Sequence, residues 1–161
     1  MTSVSIPDGV TSIGRTAFQN NQITGDLVIP DSVTFIGDAA FLRNQLTGVV
    51  IPYGITSIAT NTFSTNQLTS VVIPDSVTSI ASHAFLNNQL TSVVIPNGVI
   101  SIGNGAFNGN LLTSITIPGN VDIGALSAMG THGDSFLALY NGNGRLAGTY
   151  VFDGHNWTLQ P

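Results

Sequence analysis

Apolar residues recur along this chain of 161 residues with a period of about 22 positions. The clearest marker is an isoleucine followed by a proline, which occurs six times with spacings of 23, 22, 22, 22 and 22 residues. Self-similarity at such a period predicts a solenoid, in which each repeat forms one coil and the coils stack along an axis. The prolines of the marker are Pro7, Pro30, Pro52, Pro74, Pro96 and Pro118.

One repeat, residues 68–89, shows how the pattern predicts local structure. Val71 and Ile73 lie two positions apart among β-branched neighbours, which is typical of a short strand with one buried face. Pro74 has no amide hydrogen to donate, so its recurrence fixes where each strand ends and holds the strands in register. Val77 begins a second apolar pair, which predicts another short extended segment. Small and polar residues follow it, and we expect little α-helix.

A phenylalanine and an asparagine follow at fixed positions in each full repeat. The apolar side chains of one repeat are too few to offset the entropy of ordering about 22 residues, so a coil is stable only in a stack. We expect the phenylalanines to form one continuous file, and each asparagine to bond backbone groups of the adjacent coil, because unpaired buried amides are costly. The residues are Phe18, Phe41, Phe63, Phe85 and Phe107, with Asn21, Asn44, Asn66, Asn88 and Asn110.

The full pattern is Leu-x-x-Val-x-Ile-Pro-x-x-Val-x-x-Ile-x-x-x-Ala-Phe-x-x-Asn, present at Leu68–Asn88 and again at Leu90–Asn110. It resembles the BspA-like, or treponemal-type, leucine-rich repeat. The resemblance implies a curved, right-handed β-rich solenoid with a parallel sheet on its concave side. It also implies a bacterial protein that is secreted or displayed at the cell surface and that binds other molecules there. It supplies no catalytic residue.

The repeat covers residues 1–124, about five and a half copies, and residues 125–161 depart from it. We expect one domain in which the second segment caps the last coil. Short strands are predicted at Phe136–Tyr140, Arg145–Phe152 and Trp157–Leu159, separated by Asn-Gly and Asp-Gly turns. An antiparallel hairpin of these strands would cover an edge that otherwise stays open.

The amino-terminal end of the solenoid has no such cap in the sequence. Residues 2–7 predict a bare edge strand, which suggests either a homo-oligomer formed through that edge or further repeats upstream of it. The one 23-residue spacing places an extra residue between Thr24 and Asp26.

Composition narrows the choice of partners. The chain has eight Asp, three Arg and no Lys, Glu or Cys, for a net charge of −5. So few cations cannot neutralise a run of phosphates, which argues against nucleic acid and against anionic membranes. Met1-Thr2-Ser3 lacks the basic start of a secretory signal, and no apolar run approaches the roughly 20 residues of a spanning helix. No Gly-x-Ser-x-Gly motif occurs, and we predict no enzyme activity, cofactor or metal.

The candidate ligand-binding surface is the outward row of the predicted concave sheet. Residues between the inward pair of each strand point away from the core, and four of them are valines. An exposed apolar stripe with a polar rim is typical of an interaction surface, although valine also suits a strand by propensity alone. The row is Ser5, Val28, Val50, Val72, Val94 and Thr116, flanked by Ser70, Ser92 and Ser114.

These features favour a non-enzymatic binding or adhesion module that recognises a protein or a surface glycan through the concave face. An alternative is a structural spacer or self-associating segment of a larger surface protein. Columns of threonine, such as Thr47, Thr69 and Thr91, suggest ice binding as a less favoured hypothesis. The simpler interpretation is that these threonines form hydrogen bonds within the strand ladders or cap turns.

Two short segments of the tail suggest metal ligands as another alternative, because histidine and carboxylate suit zinc and similar ions. They are His132-Gly-Asp134 and Asp153-Gly-His155. The same spacing fits ordinary turns equally well.

Overall fold

The computed structural model describes residues 1–124 and 129–160. It is a β-solenoid of short parallel strands, followed by one helix and a hairpin. The predicted capping segment from residue 125 is described only from residue 129 onward. In chain order the elements are β1 (Ser12–Ile13), β2 (Thr24–Leu27), β3 (Phe35–Ile36), β4 (Gln45–Val50), β5 (Ser57–Ile58), β6 (Ser70–Val72), β7 (Ser79–Ile80), β8 (Ser92–Val94), β9 (Ser101–Ile102), β10 (Ser114–Ile117), β11 (Asp122–Ile123), α1 (Gly133–Gly142), β12 (Gly148–Phe152) and β13 (Trp157–Leu159).

The first strand of each coil belongs to a parallel array. β4 pairs with β6, and β8 pairs with β10, in the register that the 22-residue period predicts. β4 also pairs with β2, and there the same register holds from Asp26 onward. Val49 of β4 therefore stacks on Val71 of β6 and points inward. β6 and β8 also lie beside each other, although they belong to separate ladders.

The second extended segment of each coil forms its own parallel array, as predicted. β1 pairs with β3, while β5, β7, β9 and β11 form one four-stranded sheet. Each strand is only two residues long, and its isoleucine is buried in most coils, as at Ile58 and Ile80. The core is thus enclosed between two strand arrays and the turn that carries the phenylalanine.

The phenylalanine file is confirmed. Five rings stack nearly parallel along the solenoid, with successive centroid separations of 5.2, 5.6, 5.6 and 5.2 Å. Phe41, Phe63, Phe85 and Phe107 are fully buried. Offset stacking at such distances adds to the stabilisation that burial alone provides.

The asparagine column bonds to backbone as expected. Asn66 donates to the carbonyls of Phe41 at 3.0 Å and Phe63 at 3.1 Å, while its own Oδ1 accepts from the amide of Leu46 at 3.1 Å. Asn44, by its position in the column, makes the same bonds one coil earlier. Four members of the column therefore tie two coils together at a buried point, namely Asn44, Asn66, Asn88 and Asn110.

Every full coil also contains two residues in the left-handed region, which the sequence pattern did not predict. The first precedes the phenylalanine by two positions and the second follows it by two. Their φ angles lie near +60°, a region that glycine and asparagine occupy at little cost and other residues rarely adopt. The first column is Thr16, Ala39, Asn61, His83 and Gly105, and the second is Asn20, Arg43, Thr65, Asn87 and Gly109.

The carboxyl-terminal hairpin is confirmed, but the strand predicted at Phe136–Tyr140 is wrong. β12 pairs antiparallel with β10 and with β13, which covers the last edge of the first array. Phe136 and Tyr140 instead lie in α1, where their spacing of four places both on one buried face. The period-two pattern was ambiguous over five residues, and packing against the hairpin decided for the helix.

The predicted edge strand at residues 2–7 does not form. The carbonyls of Met1 and Thr2 accept bonds from Gln22 and Thr24, but the first assigned strand is β1. A register shift between Gly25 and Asp26 interrupts β2 at the predicted extra residue. An oligomer formed through this end stays a prediction.

Candidate binding surface

Four valines form the exposed stripe that the sequence predicts. We call Val28, Val50, Val72 and Val94 the valine face; their exposed fractions are 79%, 59%, 56% and 64%. Three of them lie in β4, β6 and β8, and Val28 directly follows β2. Each is outward because the residues on either side of it, such as Val49 and Ile51, point into the core.

The valine face borders a groove of about 310 Å³ that runs across β2, β4 and β6. Asp26 and Ser70 line its polar side, and Asp26 accepts a hydrogen bond from the Thr47 hydroxyl at 2.8 Å. Gly48 lies between them, and a Cβ at that position would approach Asp26 Oδ1 to 2.7 Å. The glycine therefore leaves room for the carboxylate beside the apolar stripe.

The two ends of the predicted row have different surroundings. Ser5 is exposed but lines a separate cavity of about 220 Å³ with Ile6 and Phe18, at the first coil. Thr116 is half-buried, because β12 covers it and the hydroxyls of Thr116 and Thr149 are 2.9 Å apart.

The serines that flank the row differ in the same way. Ser70 and Ser92 are exposed, whereas Ser114 is half-buried opposite Val151 of β12. The open surface thus consists of the valine face with Ser70 and Ser92.

A second groove was missed by the sequence reasoning. It has a volume of about 570 Å³, and the residues that follow the prolines in three successive coils, Tyr53, Asp75 and Asn97, line it together with Val94 and Thr116. We call it the Tyr53 groove. The signal was present in the repeat, because this column is aspartate in three coils, asparagine or glycine in two others, and tyrosine at Tyr53 alone. Tyr53 is 71% exposed.

The threonine columns act in the ladders. Thr69 donates to the carbonyl of Thr47 at 3.3 Å, and Thr78 donates to the carbonyl of Thr56 at 3.1 Å. Because the hydroxyls already bond within the stack, these contacts support the ladder role over an ice-binding role.

The histidines and aspartates of the tail serve turns and packing. Asp153 Oδ1 accepts from the amides of Asn156 at 2.7 Å and His155 at 2.8 Å, and these bonds lower the pKa of its carboxyl. The His132 ring stacks on Phe152 at 4.0 Å. Within residues 1–124 and 129–160, no three His, Asp or Glu side chains are grouped as a metal site would require.

One buried tyrosine bonds the cap to the solenoid, and a second forms a bond within the cap. The Tyr140 hydroxyl donates to the carbonyl of Pro118 at 2.9 Å and accepts from the amide of Val121 at 3.0 Å. The Tyr150 hydroxyl donates to the carbonyl of Leu146 at 2.9 Å. Burial raises the pKa of both phenols, since it disfavours the charged form.

Comparison with known families identifies the repeat. The model of the BspA type leucine-rich repeat region matches six copies over residues 1–111 and 56–128. The chain belongs to this family. A comparison with curated proteins gives no match. No helix among the described residues is long and apolar enough to cross a membrane.

Two solved structures of leucine-rich repeat proteins are similar to this BspA-type chain. A leucine-rich repeat protein from Bacteroides ovatus is 29% identical with a TM-score of 0.58, and the match covers 78% of this chain and 32% of that one. A leucine rich cell surface protein from Faecalibacterium prausnitzii is 27% identical with a TM-score of 0.44, over 72% of this chain and 46% of that one. This chain thus spans less than half the length of either protein.

Proposed function

We propose that the chain is a non-enzymatic binding module that recognises another protein through the valine face, outside the cell or at its surface. The observation that carries this proposal is a continuous apolar stripe that stays more than half exposed across four coils. Burying such a stripe against an apolar surface is favourable, and a polar rim limits self-aggregation. Family membership supports a binding or structural role, and the same resemblance supports an extracellular location.

Low charge gives the proposed contact a distinct signature. The valines carry no charge, and Asp26 is the ionisable residue that lines the adjoining groove. Binding should therefore weaken little when salt rises from low to physiological concentration, because screening acts only on charges.

The test is binding of the purified chain to an array of extracellular-matrix proteins, before and after Val50→Asp and Val72→Asp. A charge at the centre of the stripe should abolish capture of any protein that the wild type binds. Val50→Thr keeps the branched shape, and Ser12→Asp places the same charge on the exposed part of β1, in the other array. Both should bind nearly as wild type. Undiminished binding by the two valine-to-aspartate variants would exclude the valine face.

Self-association is the second candidate, because the first coil leaves part of the core uncovered. Val4, Ile6, Val10 and Phe18 are only partly buried there, beside the cavity of about 220 Å³. Sedimentation equilibrium decides between the two functions: a dimer that Val10→Asp converts to monomer would favour this end, whereas a wild-type monomer would exclude it.

A further inference from the structure

The Tyr53 groove brings three unlike side chains into one row. Tyr53, Asp75 and Asn97 each directly follow the proline of successive coils, so they occupy one column of the stack. Adjacent strands lie about 4.8 Å apart, which places the three within about 10 Å along the solenoid axis. Tyr53 lies toward the amino-terminal side, and Ala147 and Gly148 of the cap bound the groove at its other end.

The groove combines an aromatic ring with a carboxylate and an amide. Tyr53 offers a large apolar ring face and a phenol, and it is 71% exposed. Asp75 accepts hydrogen bonds only, whereas the Asn97 amide both donates and accepts. Val94 adds an apolar wall. A ligand that satisfies this row must present C–H surface to the ring and several hydroxyl groups to the neighbouring coils.

Charge narrows the ligand further. No Lys or Arg is among the described residues that line the groove, and Asp75 is its one ionisable carboxylate. With a net charge of −5 for the chain, phosphates and acidic sugars are repelled. A ligand without hydrogen-bonding groups would leave the carboxylate and the amide without partners, which is costly when they are covered.

We propose that the Tyr53 groove binds a neutral oligosaccharide. The Tyr53 ring would stack on the C–H face of one sugar, and Asp75 and Asn97 would accept and donate hydrogen bonds with the hydroxyls of the next. A volume of about 570 Å³ lies within the usual range of ligand clefts. The inference goes beyond the proposed protein contact, because it assigns a different ligand class to a neighbouring groove that shares only Val94 with the valine face.

Isothermal titration with cellohexaose, mannohexaose and chitohexaose tests the proposal, with hexagalacturonate as the acidic comparator. At least one neutral hexasaccharide should bind, and hexagalacturonate should bind at least tenfold more weakly. Tyr53→Ala should weaken binding tenfold or more, Tyr53→Phe should retain most of it, and Asp75→Ala should weaken it severalfold. Phe35→Ala removes an exposed ring elsewhere, 57% exposed, and should leave binding unchanged.

Three results would overturn the proposal: no binding of the neutral sugars at millimolar concentration, equal binding by Tyr53→Ala, or preference for hexagalacturonate. Circular dichroism verifies that each variant is folded. We expect the Tyr53 variants to fold, because the exposed side chain contributes little to packing. Val50→Asp separates this proposal from the previous one, because Val50 does not line the groove. Loss of protein capture with sugar binding retained shows two sites. If the chain captures a protein but binds no sugar, the proposal for the Tyr53 groove is refuted and the proposal for the valine face stands.

Discussion

Residues in the left-handed conformation are the most demanding local feature of this chain. Thr65 occupies such a position with φ of +56°, and Asn87 occupies the equivalent position one coil later with φ of +53°. A β-branched residue is strained there, whereas asparagine tolerates the region well. The coil that contains Thr65 therefore carries backbone strain that the coil containing Asn87 avoids.

Thr65→Asn should raise the free energy of unfolding by about 1 kcal/mol, because it relieves that strain at an exposed site. The reverse change, Asn87→Thr, should lower it by a similar amount and serves as the matched control. Urea titration followed by circular dichroism measures both. Equal signs for the two substitutions would contradict the explanation.

The asparagine column predicts a graded cost along the stack. Asn66→Ala should lower the free energy of unfolding by about 3 kcal/mol, because it leaves the buried Leu46 amide without its partner. It also removes one of the two side-chain bonds that the carbonyls of Phe41 and Phe63 each accept, the others coming from Asn44 and Asn88. Asn21→Ala should cost about 1 kcal/mol or less, since Asn21 is half-buried and donates only to carbonyls of its own coil. Equal losses at the two positions, measured by urea denaturation, would show that the column does not act between coils.

At the scale of elements, the cap is an aromatic cluster docked on the last coil. Phe136 contacts Tyr150 edge-on at 5.2 Å and Trp157 at 5.4 Å, and it stacks near Tyr140. The Tyr140 hydroxyl bonds α1 to backbone on either side of the turn after β10. This single phenol links the helix to the solenoid.

Alkaline pH should loosen this attachment. The pKa of Tyr140 is raised above its ordinary value of 10.0 in the folded chain, so the unfolded chain ionises first as pH rises. Stability is therefore fully present below pH 10 and decreases above it, until the folded phenol also ionises. Tyr140→Phe should lose about 1 to 3 kcal/mol at pH 7, because the Val121 amide and Pro118 carbonyl lose their partner.

Between pH 10 and 11, the stability of Tyr140→Phe should decrease less steeply than that of the wild type. Adding Tyr150→Phe should flatten the dependence further, since burial also raises the pKa of Tyr150. Urea midpoints across this range measure the slopes. Equal slopes for the wild type and both variants would show that ionisation of Tyr140 and Tyr150 does not cause the loss of stability.

The whole molecule is a one-dimensional stack in which each coil contacts its neighbours. Removing residues 68–89 joins Gln67 to Leu90 and preserves the repeat, because a glutamine precedes a leucine at both junctions. The shortened chain should fold cooperatively with a lower unfolding midpoint, as expected for nearest-neighbour stability. Removing residues 68–78 deletes half a coil and should prevent folding. Thermal circular dichroism compares the two deletions, and similar behaviour would contradict the stacking account.

Much of the fold could be predicted from the repeat because each coil is surrounded by copies of itself. The column of Phe63 must meet Phe41 and Phe85 once the coils stack, so sequence spacing becomes spatial contact. The exposure of Val50 and Val72 follows equally from alternation along a strand. These parts of the candidate surface needed no tertiary information.

The sequence by itself determined the period, the two strand arrays, the phenylalanine file and the asparagine bonds, because all of these repeat. Only the tertiary structure decided what does not repeat: α1 in place of a strand, the cover of β12 over Thr116, and the groove between Tyr53 and the cap. Those features depend on contacts between segments of unlike sequence. The repeat predicts contacts only between equivalent positions of successive coils, so it does not predict these. Local patterns determine a coil, but the end of a stack is determined by what packs against it.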